Sequence, residues 1–327
     1  NSDYNTFKGR MKFYMMRKST ILNRTKEGEG ASIPTFFVRE DAADVWFEAS
    51  KKMKKIVKIK KKGKKKRVVE TGGLPCTFNY NLDINRTEFN GKNVLAYLPG
   101  TDKDLKKEVV VITSHYDHIG IVDGEINNGA DDDGSGTVTV MELARVYMNA
   151  SKNGDGPRRS VLFMNVVGEE KGLLGSEWYS DHPIFPLENT VANLNIDMIG
   201  RVDEAHSGDE NYIYLIGSDK LSSELHEISE TANASFTNIT LDYTFNAPDD
   251  PNRFYYRSDH YNFAKHNIPV IFYFSGVHED YHAPGDDVEK ILFTKMTNVG
   301  RLAFHTAWEL LNRDEKIVVD KVNDFKD

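Results

Sequence analysis

Val109-Val110-Val111-Ile112-Thr113-Ser114-His115-Tyr116-Asp117-His118 is the stretch on which the reading of this chain turns. Its β-branched run has no polar alternation, the pattern of a strand covered on both faces in a parallel sheet. The run gives way to small and polar residues, so His115 and Asp117 fall where strand passes into loop. Shortly after comes Gly129-Ala130-Asp131-Asp132-Asp133-Gly134-Ser135-Gly136, then a segment from Thr137 to Tyr147 with helical character. In open α/β sheets ligands collect where strands end and loops begin. Imidazole and carboxylate gathered there suit a zinc-like divalent metal.

Working outward from this stretch, strand and helix patterns alternate from Asn93 onward. Strands are expected at Asn93–Pro99, Ser160–Val167, Val191–Ile199, Asn211–Gly217 and Pro269–Phe274, with helices at Gly172–Ser180, Leu221–Ala234, Ser258–His266 and Ile291–Leu311. That order predicts an α/β domain with a mostly parallel central sheet. No internal repeat interrupts it.

The chain has 327 residues, 39% of them hydrophobic and 11% aromatic, enough for a sizeable core. A net charge of −8 and a pI near 5.7 give no overall basic footprint for nucleic acid. No apolar run approaches the ~20 residues of a membrane span. The single cysteine, Cys76, excludes an intrachain disulfide and any cysteine-based zinc site. The start at Asn1, without Met or leader, fits a processed chain.

Residues 1–92 differ in character. Short strands are expected at Met11–Met16 and Ile33–Val38, and a helix at Asp41–Lys55. Lys51 to Arg67 is a lysine block broken by Gly63, which reads as a turn between two strands. The block invites an anionic partner, but the ordinary reading is a solvated hairpin whose lysines discourage edge pairing.

The chemistry-bearing residues fall at successive strand ends: His115 and Asp117, then Asp132, Glu169 and Glu170, Asp197 and finally His282. Two imidazoles and several carboxylates can hold a pair of divalent ions, which activate a water and stabilise a developing oxyanion. Adjacent carboxylates such as Glu169 and Glu170 repel unless cations or protons compensate. If one is a ligand, the other is free to act as a general base. Asp117, two residues beyond His115, can fix the tautomer of that imidazole. Singly each feature is ordinary; as a set they point to a metal centre.

The motifs SHYDHIG, NNGADDDGSG, VVGEEKGLLGS, NIDMIG, FYYRSDHYNFAKHNIPVIF and DYHAPGDDVEK, in this order, resemble the zinc-dependent aminopeptidases of the bacterial leucyl aminopeptidase type. Relatives of that family include glutamate carboxypeptidase, glutaminyl cyclase and the transferrin receptor. The resemblance covers residue 93 to the C-terminus and implies a three-layer αβα, phosphorylase/hydrolase-like domain. It implies two zinc ions, for which Co²⁺ or Mn²⁺ can substitute, bridged by Asp132. His115 and Asp197 would complete one metal, and Glu170 and His282 the other. Glu169 would be the general base, Asp117 would orient His115, and Tyr255 would stabilise the oxyanion. The Asp132–Asp133 peptide is expected to be cis. His118, His260 and His266 are read as supporting residues, Asp259 and Asp286 as buttresses of loops, and Trp46, Trp178 and Trp308 as core or interface residues.

The implied function is hydrolysis of the N-terminal peptide bond of peptides through a water or hydroxide shared by two zinc ions. A glutaminyl cyclase-like or glutamate carboxypeptidase-like relative is the alternative, with Arg253 and Arg257 as possible receptors of an acidic substrate. A binding scaffold without activity is disfavoured because every ligand position is intact. Residues 1–92, through IPTFFVREDAADVWF, resemble the later part of a protease-associated lid domain, so an upstream piece is expected. By the same resemblance the protein is expected outside the cytoplasm: periplasmic, on the cell surface or secreted.

Overall fold

The computed structural model describes residues 59–62, 66–69 and 88–323. The expectations for Met11–Met16, Ile33–Val38, Asp41–Lys55, Trp46 and Cys76, and the lid-like reading of the first ninety residues, lie outside the described residues. Of the lysine block, β1 (Ile59–Lys62) and β2 (Lys66–Val69) pair antiparallel, the hairpin anticipated from Gly63. This hairpin belongs to one compact unit of the chain; the main described body belongs to another.

That body is built on a seven-stranded sheet. In chain order the strands are β3 (Val94–Leu98), β4 (Val109–His115), β7 (Ser160–Val166), β8 (Thr190–Ile196), β9 (Tyr212–Ile216), β10 (Thr240–Asp242) and β11 (Val270–Phe274). Two short strands, β5 (Gly120–Val122) and β6 (Glu125–Asn127), form a separate hairpin. Across the sheet the order is β10-β9-β11-β8-β4-β7-β3. The central strands β11, β8, β4 and β7 run parallel, while β3 at one edge and the β9–β11 junction are antiparallel.

Every residue of β4, β8, β9 and β11 is buried, as their unbroken apolar runs require. Alternate side chains serve opposite faces. Val110 and Ile112 join a core with the helices α1 (Gly136–Lys152), α3 (Ser223–Phe236) and α5 (Phe293–Asn312). Val109 and Val111 join a second core with α2 (Leu174–Asp181) and α4 (His260–Ala264). Two helical layers thus sandwich the sheet. Each fully buried Val, Ile or Leu contributes about 1.5–3 kcal/mol, so the central strands are the most firmly held part of the fold.

The ends of these strands are locked by polar groups. Arg159, fully buried, ion-pairs with Glu108 and donates to the carbonyls of Leu310 and Arg313, tying the start of β7 to the end of α5. A cation at a helix C-terminus also satisfies carbonyls that have no intrahelical partner. Trp308 packs on the core, while Trp178 is 47% exposed and stacks on His182.

Candidate metal centre

His115 is the last residue of β4, and Glu169 and Glu170 lie in the 3-10 turn Glu169–Lys171 just after β7, the neighbouring strand. Asp197 follows β8 on the other side of β4. Asp132 comes from the loop that leads into α1, and His282 from the loop after β11. Five sequence-distant segments therefore converge on one sheet edge.

The Asp-rich loop is held by its own carboxylates. Asp286 accepts hydrogen bonds from the backbone N–H of Asp131 (3.0 Å to each oxygen) and of Asp132 (3.1 Å). Asp133 accepts from the N–H groups of His115, Gly136 and Met198, bracing β4, α1 and the end of β8 together. Gly136 is required by close approach: a Cβ there would lie 2.2 Å from the Ile196 carbonyl. The Asp132–Asp133 peptide is cis, as the resemblance implies.

The carboxylate of Asp132 faces two ways. Its Oδ1 lies 3.4 Å from Nε2 of His115, which is 3.6 Å from Oδ1 of Asp197. Its Oδ2 lies 3.1 Å from Nε2 of His282, which is also 3.1 Å from Oε1 of Glu170. The other oxygen of Asp197 accepts a 2.6 Å hydrogen bond from Ser258, so a single oxygen is left to face His115. Ser258 in turn accepts from Asn195, whose amide oxygen accepts from Thr113, and Thr113 accepts from Asn193. This chain of buried polar groups runs through the sheet and ends on Asp197.

Nδ1 of His115 donates to the backbone carbonyl of Asp117, 3.0 Å away. The Asp117 carboxylate is farther, at 3.8 Å, and accepts instead from the N–H of Glu169. Asp117 thus meets His115 through its carbonyl and not through the side chain expected to orient it, while its carboxylate positions the Glu169 turn. Asp259 is fully buried and bonds Ser176 at 2.5 Å, joining α2 to α4, and burial pushes its carboxyl up to about 7. Both aspartates read as buttresses, Asp259 and Asp286, have that role.

Two placements differ from the sequence reading. Tyr255 packs in the second core beside Tyr256, His260 and Tyr261 and does not line the cleft at the metal residues. The tyrosine in the cleft is Tyr281, stacked on His282 with ring centroids 3.9 Å apart. Its position one residue before His282 is the signal that would have found it. His118, read as supporting, has Nδ1 3.1 Å from Glu170 and 3.7 Å from Asp132.

The donor set fits a metal. Nε2 of His115, Nδ1 of His118, Oδ2 of Asp132 and Oε1 of Glu170 are all buried without a hydrogen-bond partner among the described residues. Buried polar atoms left so are costly, and ligation is what relieves them. Two groups, His115–Asp132–Asp197 and His118–Asp132–Glu170, each bring three ligand atoms together. The charge balance agrees. Burial pushes the Glu169 carboxyl well above the usual range against the pull of His115, with Asp197, Asp259 and Glu170 raising it further. Burial alone would lower the imidazoles, yet Asp197 and Glu169 hold His115 well above its ordinary value, and Asp132 and Glu170 lift His282 to about 9. Such a concentration of carboxylates calls for positive charge.

Residues 93–307 match the family model described as Peptidase family M28. The chain belongs to this family. Among similar proteins, Aminopeptidase YwaD of Bacillus subtilis strain 168 is 28% identical over 216 residues, 64% of this chain and 42% of the relative. A "Probable leucine aminopeptidase" of Arthroderma otae is 29% identical over 225 residues, 67% of this chain and 57% of that one. The solved structure of BSAP, a zinc aminopeptidase from Bacillus subtilis, aligns with a TM-score of 0.54 at 25% identity, covering 69% of this chain and 52% of that chain. The Legionella pneumophila LapA aminopeptidase shares the fold, with a TM-score of 0.55 at 24% identity over 68% of this chain and 55% of that one. The chain spans about half the length of these relatives. No helix among the described residues is long and apolar enough to cross a membrane.

Proposed function

We propose that the body from residue 93 onward is the catalytic domain of a two-zinc aminopeptidase. The observation that carries this reading is the carboxylate of Asp132, whose two oxygens face two separate donor sets, His115 with Asp197 and Glu170 with His282. Those five residues would hold the metals. When bound, such a pair polarises a carbonyl and makes a water acidic enough to attack near neutral pH.

The protein's own groups do the rest. Glu169 borders the same cleft, its Oε2 4.0 Å from His115, where it can take the proton of the attacking water. A carboxyl raised by burial suits that role because it both accepts and returns a proton readily. As the C–N bond breaks, Glu169 passes the proton to the departing amine. Tyr281 presents a hydroxyl, its deprotonation opposed first by burial and then by Asp132, to the carbonyl oxygen as charge builds there. The cleft is walled by Met198, Phe254, Phe272, Phe274 and Val277, which suits an apolar N-terminal side chain.

A second reading rests on Arg257, which lines the cleft, while Arg253 lies instead over the ring of Tyr256. An arginine there favours a substrate bearing a carboxylate, as in the carboxypeptidase-like alternative. On the resemblance, we also place the enzyme outside the cytoplasm, with residues 1–92 as an accessory region.

The test is mass spectrometry of a mixed peptide library incubated with the zinc-loaded protein. Stepwise loss of N-terminal residues from free but not N-blocked peptides supports the aminopeptidase; loss from the C-terminus, dependent on Arg257, supports the alternative. Glu169→Gln should retain zinc while turnover falls about 10²–10⁴-fold. Preserved turnover in that variant would remove Glu169 from its role.

A further inference from the structure

We propose that His118 is a further protein ligand on the Glu170–His282 side, so that the two halves of the centre are unequal and fill in a fixed order. This rests on the two-metal reading above. The half containing His115 offers three donors, one nitrogen with the oxygens of Asp132 and Asp197. The other half offers Glu170 and Asp132 with two imidazoles, His282 and His118.

Three observations carry the assignment. Nδ1 of His118 approaches Glu170 Oε1 at 3.1 Å, the same separation that His282 keeps from that oxygen. The side chain is 10% exposed, and neither ring nitrogen meets a partner in hydrogen-bond geometry. The ring is also fixed in place by the Asp-rich loop. Gly129, at φ +66°, passes so close that a Cβ there would lie 2.6 Å from Cγ of His118. His118 and His282 meet edge to face with ring centroids 5.7 Å apart, and both approach the carboxylates of Asp132 and Glu170.

Four protein donors with two nitrogens would hold a zinc ion more tightly than three donors with one nitrogen. Zinc also favours imidazole over an additional oxygen. The Glu170–His282–His118 half should therefore fill first and release last. The half built on His115 and Asp197 should be the weaker and exchangeable one.

The experiment is titration of the metal-free full chain with Zn²⁺ alone by competition with a chromophoric chelator, and with Co²⁺ alone by absorption. The wild type should bind two equivalents in separated steps. His118→Ala should weaken the tighter step about 10–100-fold, the scale on which disturbed metal surroundings act, and leave the second step unchanged. His118→Cys gives a direct readout. Nδ1 is the ring nitrogen nearer the backbone, and a thiolate, with its metal bond of about 2.3 Å, reaches a similar point. The first equivalent of Co²⁺ should then produce a thiolate-to-cobalt charge-transfer band that the wild type, with Cys76 alone, lacks. Two equivalents bound with equal affinity by the wild type would overturn the proposal whether or not a variant folds. So would an unchanged tight step in His118→Ala together with no new band in His118→Cys, with circular dichroism verifying the fold. Binding of one equivalent or none by the wild type would instead bring down the two-metal reading itself.

Discussion

Asp286 offers the sharpest test of how the Asp132 carboxylate is held. It is fully buried and presents both oxygens to the backbone N–H groups of Asp131 and Asp132. Asp286→Asn changes little in size but replaces one acceptor oxygen with a donor. The retained oxygen still serves Asp131, now at about 1 kcal/mol rather than the 1.5–3 of a bond to a charged acceptor. The N–H of Asp132 then faces an amide N–H and loses its bond, about 1.5–3 kcal/mol. Against this, burial already pushes the Asp286 carboxyl up and Asp131 repels it, so neutralising it returns part of the loss. The net expectation is about 2 kcal/mol of destabilisation, together with a 10–100-fold loss of zinc affinity because Asp132 is no longer fixed. Guanidinium denaturation of the metal-free protein and zinc competition measure the two separately. A variant with the wild-type midpoint and wild-type affinity would refute the claim that this carboxylate sets the loop.

Metal removal and acid give two further expectations. Zinc at about 100 times its dissociation constant should stabilise by about 2.7 kcal/mol, and calorimetry should show the melting temperature falling by several degrees on chelation; an unmoved melting point would argue against ligation by the folded state. His260, fully buried against Phe272, is held by burial at about 3, below its ordinary 6.5. The unfolded chain thus binds a proton that the folded one refuses, and stability drops as pH falls from 6.5 toward 3, by about 1.4 kcal/mol per unit. His260→Gln should flatten that acid-side slope by the same amount in denaturant titrations across pH 4–6; equal slopes would show that His260 does not carry the effect.

The central strands were legible because burial on both faces leaves an unbroken apolar signature, as in Val109–Thr113. The hairpin β5–β6 was not, since three-residue strands give no period to read. Its turn was nevertheless visible: Asp123 and Gly124 both take positive φ, the Asp-Gly signature of a tight hairpin. Strand β10 escaped for the same reason of length. At the centre, the residues that end strands were readable because strand ends lie in order along one edge. Which tyrosine enters the cleft was not readable, because Tyr255 and Tyr281 both sit near motif residues and the choice depends on how loops fold back. The same holds for His118, three residues past His115 yet turned toward Glu170.

The polar chain Asn193–Thr113–Asn195–Ser258–Asp197 has a consequence for how this protein can change over generations. Each member fills its neighbour's hydrogen-bonding need in the interior, so a single replacement strands a partner at about 1–3 kcal/mol. Drift at these positions is therefore closed off one step at a time, and only concerted replacements would pass. Arg257 and Val277, which wall the cleft from loops, carry no such debt to the sheet. Selectivity can wander through those positions while the cradle stays fixed, so directed evolution toward new peptides should start at the cleft wall and leave the strands alone.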